Sequence, residues 1–171
     1  MQTGDLDMPR LEELCMEQKS LKNAYEEFFF MGAAVNSRSV VTHAGLLKEH
    51  FNSITAENEM KFESVHPEPD TYVFGEADAL LRFAKENGMR MRGHTLVWHN
   101  QTPQWVFTEN GKARTKESLL AIMREHIRTV TSHFSPDIYC WDVVNEAVED
   151  KGSEILRSSP WLEIAGESFI E

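Results

Sequence analysis

The chain has 171 residues, of which 41% are hydrophobic and 26% are charged, with a formal net charge of -11. This length suits one ordinary domain with a hydrophobic core, and the composition is that of a globular protein rather than a disordered or fibrous one. The acidic balance disfavours nucleic acid and anionic membranes as partners, because both are negatively charged, whereas a neutral substrate is compatible with it.

The pattern of apolar residues predicts strands that alternate with helices along the chain. Prolines and polar runs predict a loop over 66–74 and a long irregular segment marked by Pro103 and by the run ENGK at 109–112. The predicted strands are 28–35, 53–56, 90–98 and 138–144, and the predicted helices are 10–27, 39–51 (capped by Ser39), 75–87 (stopped by Gly88), 115–134 and 161–171. This alternation is typical of an α/β fold in which crossover helices join parallel strands.

The N-terminal sequence MQTGDLDMPRLEEL is acidic and lacks the apolar core of a signal peptide. No stretch approaches the roughly 20 apolar residues of a membrane span. The two cysteines, Cys15 and Cys140, lie far apart and match no metal-binding spacing, and Cys140 sits in an apolar strand where we expect a buried thiol. Two unclustered cysteines suit a reducing compartment, so we expect a cytoplasmic protein without a membrane partner.

Polar side chains follow three of the four predicted strands. These residues are Glu57, Asn58 and Lys61 after the second strand, His94, Trp98, His99 and Gln101 at the end of the third, and Asn145 and Glu146 at the end of the fourth. Because the carboxyl ends of parallel strands meet at one edge and build the site in such folds, we expect these side chains at one site. The first group is suited to hold hydroxyl groups, or forms a solvated loop.

Glu146 ends the apolar strand IYCWDVV and is the first candidate for acid–base chemistry. A carboxyl group in this place is partly shielded from water, which suits it to donate a proton, although a solvated strand end or a salt bridge is the alternative. Asn145 is suited to bond a substrate hydroxyl or to cap the following turn. Asp142 is expected to orient a neighbour or to pair with an arginine such as Arg92.

Trp98 and Trp105 flank the polar run HNQTPQ. A tryptophan near amides is suited to stack on a sugar ring, and core packing is the alternative for each. His94 is either a core histidine or a substrate contact. The histidines form no HxH or HExxH pattern, so no metal site is predicted. The glycine-rich nucleotide motifs and the GxSxG motif do not occur, so no cofactor and no serine nucleophile are expected.

Three blocks, ITAENEMKFE, RGHTLVWHNQTPQWV and WDVVNEAVED, occur in this order and together resemble the family-ten glycoside hydrolases, the endo-1,4-β-xylanases. The resemblance runs from about Phe30 to the end of the chain. It implies an α/β fold that is the N-terminal half of a TIM (β/α)8 barrel. Residues 1–171 would form one partial catalytic domain of four β/α units, with a helical segment over 1–27. The sequence resembles the intracellular members of the family.

The resemblance also implies roles, by position, in the hydrolysis of xylan or xylo-oligosaccharides with retention of configuration. Glu146 matches the general acid/base. The matching sugar contacts are Asn145 at the 2-hydroxyl beside the cleaved bond, His94 and Trp98 at the wall of the same subsite, Gln101 as a polar contact near it, and Glu57, Asn58 and Lys61 at the next sugar.

A retaining glycosidase also needs a nucleophilic carboxylate roughly 5–5.5 Å from the acid. In the family this is a glutamate at the end of the seventh strand, in a block like TELD, and no such block occurs in this sequence. We therefore expect a chain that acts with a complementary C-terminal half-barrel or that self-associates, because an open half-barrel exposes strand edges and core. The alternatives are a non-catalytic xylo-oligosaccharide-binding fragment and a self-associating half-barrel fragment with no sugar role.

Overall fold

The computed structural model describes residues 20–170. The helices in this part of the chain are α1 (Leu21–Ala24), α2 (Ser39–Thr42), α3 (Ala44–His50), α4 (Phe62–Val65), α5 (Gly75–Glu86), α6 (Gln104–Phe107), α7 (Lys116–Phe134) and α8 (Pro160–Ala165), followed by a 3₁₀ helix at Gly166–Phe169. The strands are β1 (Gly32–Val35), β2 (Ser53–Ala56), β3 (Arg90–Val97), β4 (Thr108–Glu109), β5 (Lys112–Ala113) and β6 (Ile138–Val144).

Strands β1, β2, β3 and β6 form one parallel sheet in that order. Each connection between neighbouring strands of this sheet passes through at least one helix, as parallel pairing requires. Strands β4 and β5 form a separate antiparallel pair. The predicted α/β fold with parallel strands and crossover helices is therefore confirmed. None of the helices in residues 20–170 combines the length and apolar character that crossing a bilayer requires.

One face of the sheet carries the hydrophobic core. Val35, Ile54 and Met91, which lie on three different strands, point toward this face and are buried. They belong to one apolar cluster with Leu80 of α5 and Leu119 of α7. The opposite face is left open by the described residues. The sheet therefore has a covered side that supplies stability and an open side.

The prediction of a buried thiol at Cys140 is wrong, because Cys140 is exposed. A register shift between Met91 and Arg92 places Cys140 opposite Arg92. Both residues thus lie on the open face rather than against the helices. Apolar neighbours in sequence do not bury a side chain that points away from the core. Cys15 lies outside the described residues.

Several predicted boundaries hold, and they are those with clear start or stop signals. Strands β2 and β6 have the predicted bounds. Helix α5 ends just before Gly88, which has a φ of 64°. Helix α7 follows Thr115, whose side chain accepts a hydrogen bond from the backbone N–H of Ser118.

Other boundaries were wrong. The first strand is shorter than predicted, and Phe28 is 76% exposed before it. The helix predicted over 39–51 is divided at His43, and Ser39 is not its cap. Instead, Asn36 Oδ1 accepts hydrogen bonds from the backbone N–H groups of Arg38 and Ser39, as asparagine does before a helix.

The two chain ends also differ from the prediction. The final α-helix ends at Ala165, because Gly166 takes a φ of 66°, and a 3₁₀ turn follows. The helix predicted over 10–27 is wrong at its C-terminal end, because α1 ends at Ala24 and residues 25–27 form a turn. Residues 10–19 of that helix, and most of the expected segment 1–27, lie outside the described residues.

Two histidines lie inside the core between α4 and α7. His126 is fully buried and His66 nearly so, and their Nδ1 atoms are 3.2 Å apart. The ring of His126 stacks on Phe62 with 3.6 Å between centroids. Burial, with His66 as a second cause, lowers the pKa of His126 to about 3, and burial also lowers the pKa of His66. Burial therefore favours the neutral form of both rings.

We expect the folded chain to lose stability as the pH falls below about 6.5. Both histidines bind protons more weakly in the folded chain than in the unfolded chain. The stabilisation is therefore fully present above the pKa of the unfolded chain, and it is lost as the pH falls toward the lower pKa of the folded chain. For His126 the loss between about pH 6.5 and about pH 4.5 is about 2 kcal/mol. Urea unfolding across this range measures it.

His126→Phe keeps a ring against Phe62 but removes the titrating group, so it should flatten the pH dependence even if it is less stable at pH 7. His43→Gln, at an exposed histidine, is the matched control and should leave the slope unchanged. Equal slopes for the wild type and His126→Phe would contradict this assignment.

Candidate active site

The carboxyl ends of β2, β3 and β6 lie at one edge of the sheet and carry the residues that the sequence singled out. Glu57, His94 and Asn145 line one open depression, together with Arg92 and Asp142. The other residues form two contact groups at its side, one around Glu146 and one around Lys61, as described below. The register of the parallel strands therefore brings together side chains from three separate parts of the sequence.

Glu146 directly follows Asn145 at the end of β6, and its side chain is 47% exposed. Its Oε2 atom accepts a hydrogen bond from Trp98 Nε1 at 3.0 Å and lies 3.8 Å from His99 Nε2. Its Oε1 atom has no hydrogen-bond partner among residues 20–170. One oxygen is thus fixed by an N–H donor, and the other is available to carry and to donate a proton.

Asp142 joins two basic side chains on the open face. Its Oδ2 atom is 2.9 Å from His94 Nδ1, and its Oδ1 atom accepts a hydrogen bond from Arg92. Because a carboxylate only accepts, Nδ1 of His94 carries the proton and Nε2 is left for another partner. The predicted role of Asp142, which was to orient a neighbour or to pair with Arg92, is confirmed.

Lys61 is only 8% exposed, yet its ammonium group has several partners. Nζ donates to Gln101 Oε1 at 2.6 Å and to Asn58 Oδ1 at 3.1 Å, and it lies 4.8 Å from the ring centroid of Trp98. The amide of Gln101 also donates to Asn58 and Glu63. Amide oxygens and an aromatic face thus stabilise the buried charge, and one of its three N–H donors has no partner within the described residues.

Glu57 and Asn145 are held mainly through their backbones. The N–H of Glu57 donates to Val35 O at 2.7 Å, and the N–H of Asn145 donates to Val97 O at 2.9 Å, so each continues the pairing of its strand. Glu57 Oε2 accepts from Asn36 Nδ2 at 2.7 Å. The side chain of Asn145 has no hydrogen-bond partner in the described part of the chain. Both side chains therefore have donors or acceptors left for a ligand.

Glu59 is a site residue that the sequence did not indicate. Its side chain is buried, and its carboxylate accepts from the backbone N–H of Ser37 at 2.9 Å and from the backbone N–H of Asn58 at 3.0 Å. It thereby ties the loop after β1 to the loop after β2. The polar run AENEMK contains no signal that separates a buried carboxylate from solvated neighbours, so sequence periodicity could not find it.

Trp105 does not join this site. Its indole N–H donates to Pro67 O at 3.0 Å, and its ring packs edge-on against Phe62 and His66. Of the two alternatives for this residue, core packing fits the contacts. The described residues bring no three His, Cys, Asp or Glu side chains together as a metal site would.

Comparison with known proteins places this geometry in a family. The profile of glycosyl hydrolase family 10 matches residues 20–171. A β-1,4-xylanase of Dictyoglomus thermophilum is 51% identical over 169 residues, which cover 99% of this chain and 47% of that protein.

Solved structures agree with this match. A xylanase of Paenibacillus barcinonensis, complexed with a conduramine derivative, has a TM-score of 0.85 at 46% identity, and the match covers 88% of this chain and 46% of that one. An intracellular xylanase of Thermoanaerobacterium saccharolyticum, solved as a glutamate-to-alanine mutant with xylotriose, has a TM-score of 0.84 at 39% identity and 88% and 50% coverage. This chain spans about half the length of each of these three relatives.

Glu59→Gln should destabilise the chain by about 1–3 kcal/mol, because the amide group cannot accept all the hydrogen bonds that the buried carboxylate accepts. Glu57→Gln is the matched control on an exposed side chain with one side-chain partner, and we expect it to cost less. Urea unfolding at pH 7 measures both. A Glu59→Gln cost no larger than that of Glu57→Gln would show that this carboxylate does not hold the two loops together.

Proposed function

The chain belongs to glycosyl hydrolase family 10, and from this membership we propose that it forms part of a retaining endo-1,4-β-xylanase, supplying the general acid/base and the glycone-side sugar contacts. The carboxyl group of Glu146 carries the proposal, since Trp98 fixes one of its oxygens and the other is available. The substrate that we propose is xylan or a xylo-oligosaccharide. The names of the relatives, and the xylotriose bound to one of them, support this choice.

The four parallel strands and their helices form half of a TIM (β/α)8 barrel. We assign residues 1–171 to one partial catalytic domain of four β/α units. In such barrels the carboxyl ends of the strands form the active face, which is the edge where Glu146, His94 and Lys61 lie. The position of these residues in the fold is thus consistent with the proposed chemistry.

Glu146 acts twice in this proposal. In the first step, a carboxylate of the C-terminal half attacks the anomeric carbon while Glu146 gives its proton to the leaving glycosidic oxygen. In the second step, Glu146 takes a proton from water, and that water displaces the carboxylate from the sugar. Trp98 donates to Oε2 in the structure, which leaves Oε1 to carry the transferred proton.

Asn145 and His94 bind the sugar beside the cleaved bond. The amide of Asn145 bonds the 2-hydroxyl, an interaction that strengthens in the transition state of these enzymes. Asp142 holds the Nδ1 proton of His94, so Nε2 accepts a hydrogen bond from a sugar hydroxyl. The indole of Trp98 forms the wall of the same subsite.

The contact group around Lys61, together with Glu57, binds the next sugar of the substrate. Glu57 accepts hydrogen bonds from sugar hydroxyls, and Asn58 and the remaining N–H of Lys61 bind others. Gln101 holds both Asn58 and Lys61 in place and adds a polar contact near the first sugar. A preformed network of this kind lowers the entropy that is lost on binding.

A complementary C-terminal half-barrel is the partner that we propose. Among the described residues, β6 is an edge strand of the sheet, and Tyr139 and Val143 on it are exposed. An exposed apolar edge strand readily pairs with another chain or segment. Self-association through this edge is the competing possibility, and it would be detected as a dimer in the absence of the C-terminal half.

A cytoplasmic location stays a prediction. The spacing of the two cysteines suits a reducing compartment. The relative from Thermoanaerobacterium saccharolyticum is described as an intracellular xylanase, which supports the same location.

Glu146→Gln should lower xylan hydrolysis about 100-fold or more in an enzyme assembled from this chain and a family C-terminal half, because the amide cannot donate the proton. Release of reducing sugar at neutral pH measures the rate. Glu149→Gln changes a carboxylate three residues further on and is the matched control, which should retain wild-type activity. An unchanged rate for Glu146→Gln would remove this residue from the mechanism.

A further inference from the structure

The backbone of Glu146 adopts an uncommon conformation. Its φ is 50°, in the left-handed region that non-glycine residues rarely occupy. Such a conformation persists only where the surrounding structure holds it, and it is often found at active sites. The contacts of the Glu146 backbone therefore show what fixes the direction of its carboxyl group.

Arg157 supplies these contacts. Its side-chain Nε donates to the carbonyl oxygen of Glu146 at 3.1 Å, and its backbone N–H donates to the carbonyl oxygen of Ala147 at 2.8 Å. Arg157 thus binds two successive carbonyl groups, that of Glu146, whose φ is 50°, and that of the next residue. Arg157 follows Glu146 by eleven positions, and its sequence context gives no sign of this role.

Arg157 is itself fixed by the loop that it closes. Its guanidinium group donates to Asp150 Oδ2 at 2.7 Å, and only 22% of its side chain is exposed. Within the loop, Val148 and Leu156 form an isolated antiparallel bridge. The side chain of Arg157 is therefore held in one position beside the Glu146 carbonyl group and does not move freely at the surface.

The residues after Arg157 hold Trp98, the hydrogen-bond donor to the carboxyl group of Glu146. Ser159 caps α8 by accepting a hydrogen bond from the backbone N–H of Leu162, and the buried indole of Trp161 donates to Trp98 O at 2.9 Å. Trp98 is the residue whose indole donates to Glu146. The segment 157–161 thus fixes both the backbone of the acid and the backbone of its hydrogen-bond donor.

We propose that Arg157 is a positioning residue for the general acid, holding the Glu146 backbone so that the carboxyl group reaches the glycosidic oxygen while it keeps its bond to Trp98. This inference rests on the proposed function. Arg157 touches no substrate and transfers no proton. Its loss would leave Glu146 present but less often aimed at the leaving oxygen.

The leaving group of the substrate distinguishes this role from a general loss of structure. When the nucleophile attacks, the bond between the anomeric carbon and the leaving oxygen breaks, and a sugar oxygen departs only with a proton from Glu146. A 2,4-dinitrophenolate departs as the anion and needs no such proton. A defect in proton donation therefore slows cleavage of a sugar leaving group and spares the dinitrophenyl substrate.

The experiment compares kcat/KM for xylotetraose and for 2,4-dinitrophenyl β-xylobioside in the assembled enzyme. kcat/KM is the appropriate quantity, because it reports the steps up to the first bond cleavage and not the later hydrolysis of the intermediate. Arg157→Met keeps most of the aliphatic stem and removes both side-chain hydrogen bonds. We expect it to lower kcat/KM about 10-fold or more for xylotetraose, and less than about threefold for the dinitrophenyl substrate.

Two further variants serve as controls. Asp150→Asn weakens the ion pair of Arg157 but leaves the bond to the Glu146 carbonyl, so its effect should be smaller than that of Arg157→Met. Arg157→Lys retains a donor at this position and should restore part of the xylotetraose activity. If Arg157→Met does not fold, the two kcat/KM values are compared for Arg157→Lys instead.

Equal losses on both substrates, or no loss on either, would overturn the positioning role. Failure of both Arg157 variants to fold would also overturn it, because the residue would then be purely structural. A wild-type assembled enzyme that cleaves neither substrate would instead contradict the proposed function. The failure of the inference and the failure of the function are thus distinguishable.

Discussion

The hydrogen bond from the indole of Trp98 to Glu146, 3.0 Å long, connects the parts of the site. It joins the end of β3 to the end of β6, which are separate in sequence and adjacent in the sheet. The ring of Trp98 also lies against the ammonium group of Lys61, and its carbonyl oxygen is held by Trp161. One tryptophan thus links the proposed acid–base group, the proposed sugar-binding network and the helix that follows them.

The open face of the sheet has a chemistry that suits the interior of a barrel better than a solvated surface. Arg92, Asp142 and His94 form a connected polar network there, while the apolar core lies on the other side. In water such a network contributes little to stability, because solvent screens exposed charges. Covered by a second half-barrel, the same groups would be shielded and would hold their orientation more firmly.

The sequence predicts the fold well where local signals are strong. The bounds of β2 and β6 and the start of α7 follow from apolar runs and from a threonine cap, and the parallel-strand rule brings Glu57, His94 and Glu146 to one edge. The errors arise where the outcome depends on distant contacts. Cys140 is exposed because of a register shift in the pairing of β3 with β6, which apolar content does not reveal.

The residues that hold the backbone of the site were not predicted from the sequence, for the same reason. Glu59 and Arg157 look like ordinary surface charges in the sequence, yet their partners are backbone groups that only the tertiary structure brings near. Asn36 and Ser39 show the local version of this problem, because either residue type is a good helix cap and the backbone geometry decides between them. Roles that depend on side-chain type and strand position were thus easier to predict than roles that depend on long-range hydrogen bonds.

The most direct test of the central claim is a titration of this chain with a C-terminal half-barrel of the family that bears the nucleophilic glutamate. The measurement is release of reducing sugar from xylan at neutral pH. We expect no activity from either part alone, and activity that rises with the added half until the two are equimolar. Xylan hydrolysis by this chain alone, or a stable complex of the two halves without activity, would contradict the claim that this chain supplies the acid/base of a two-part active site.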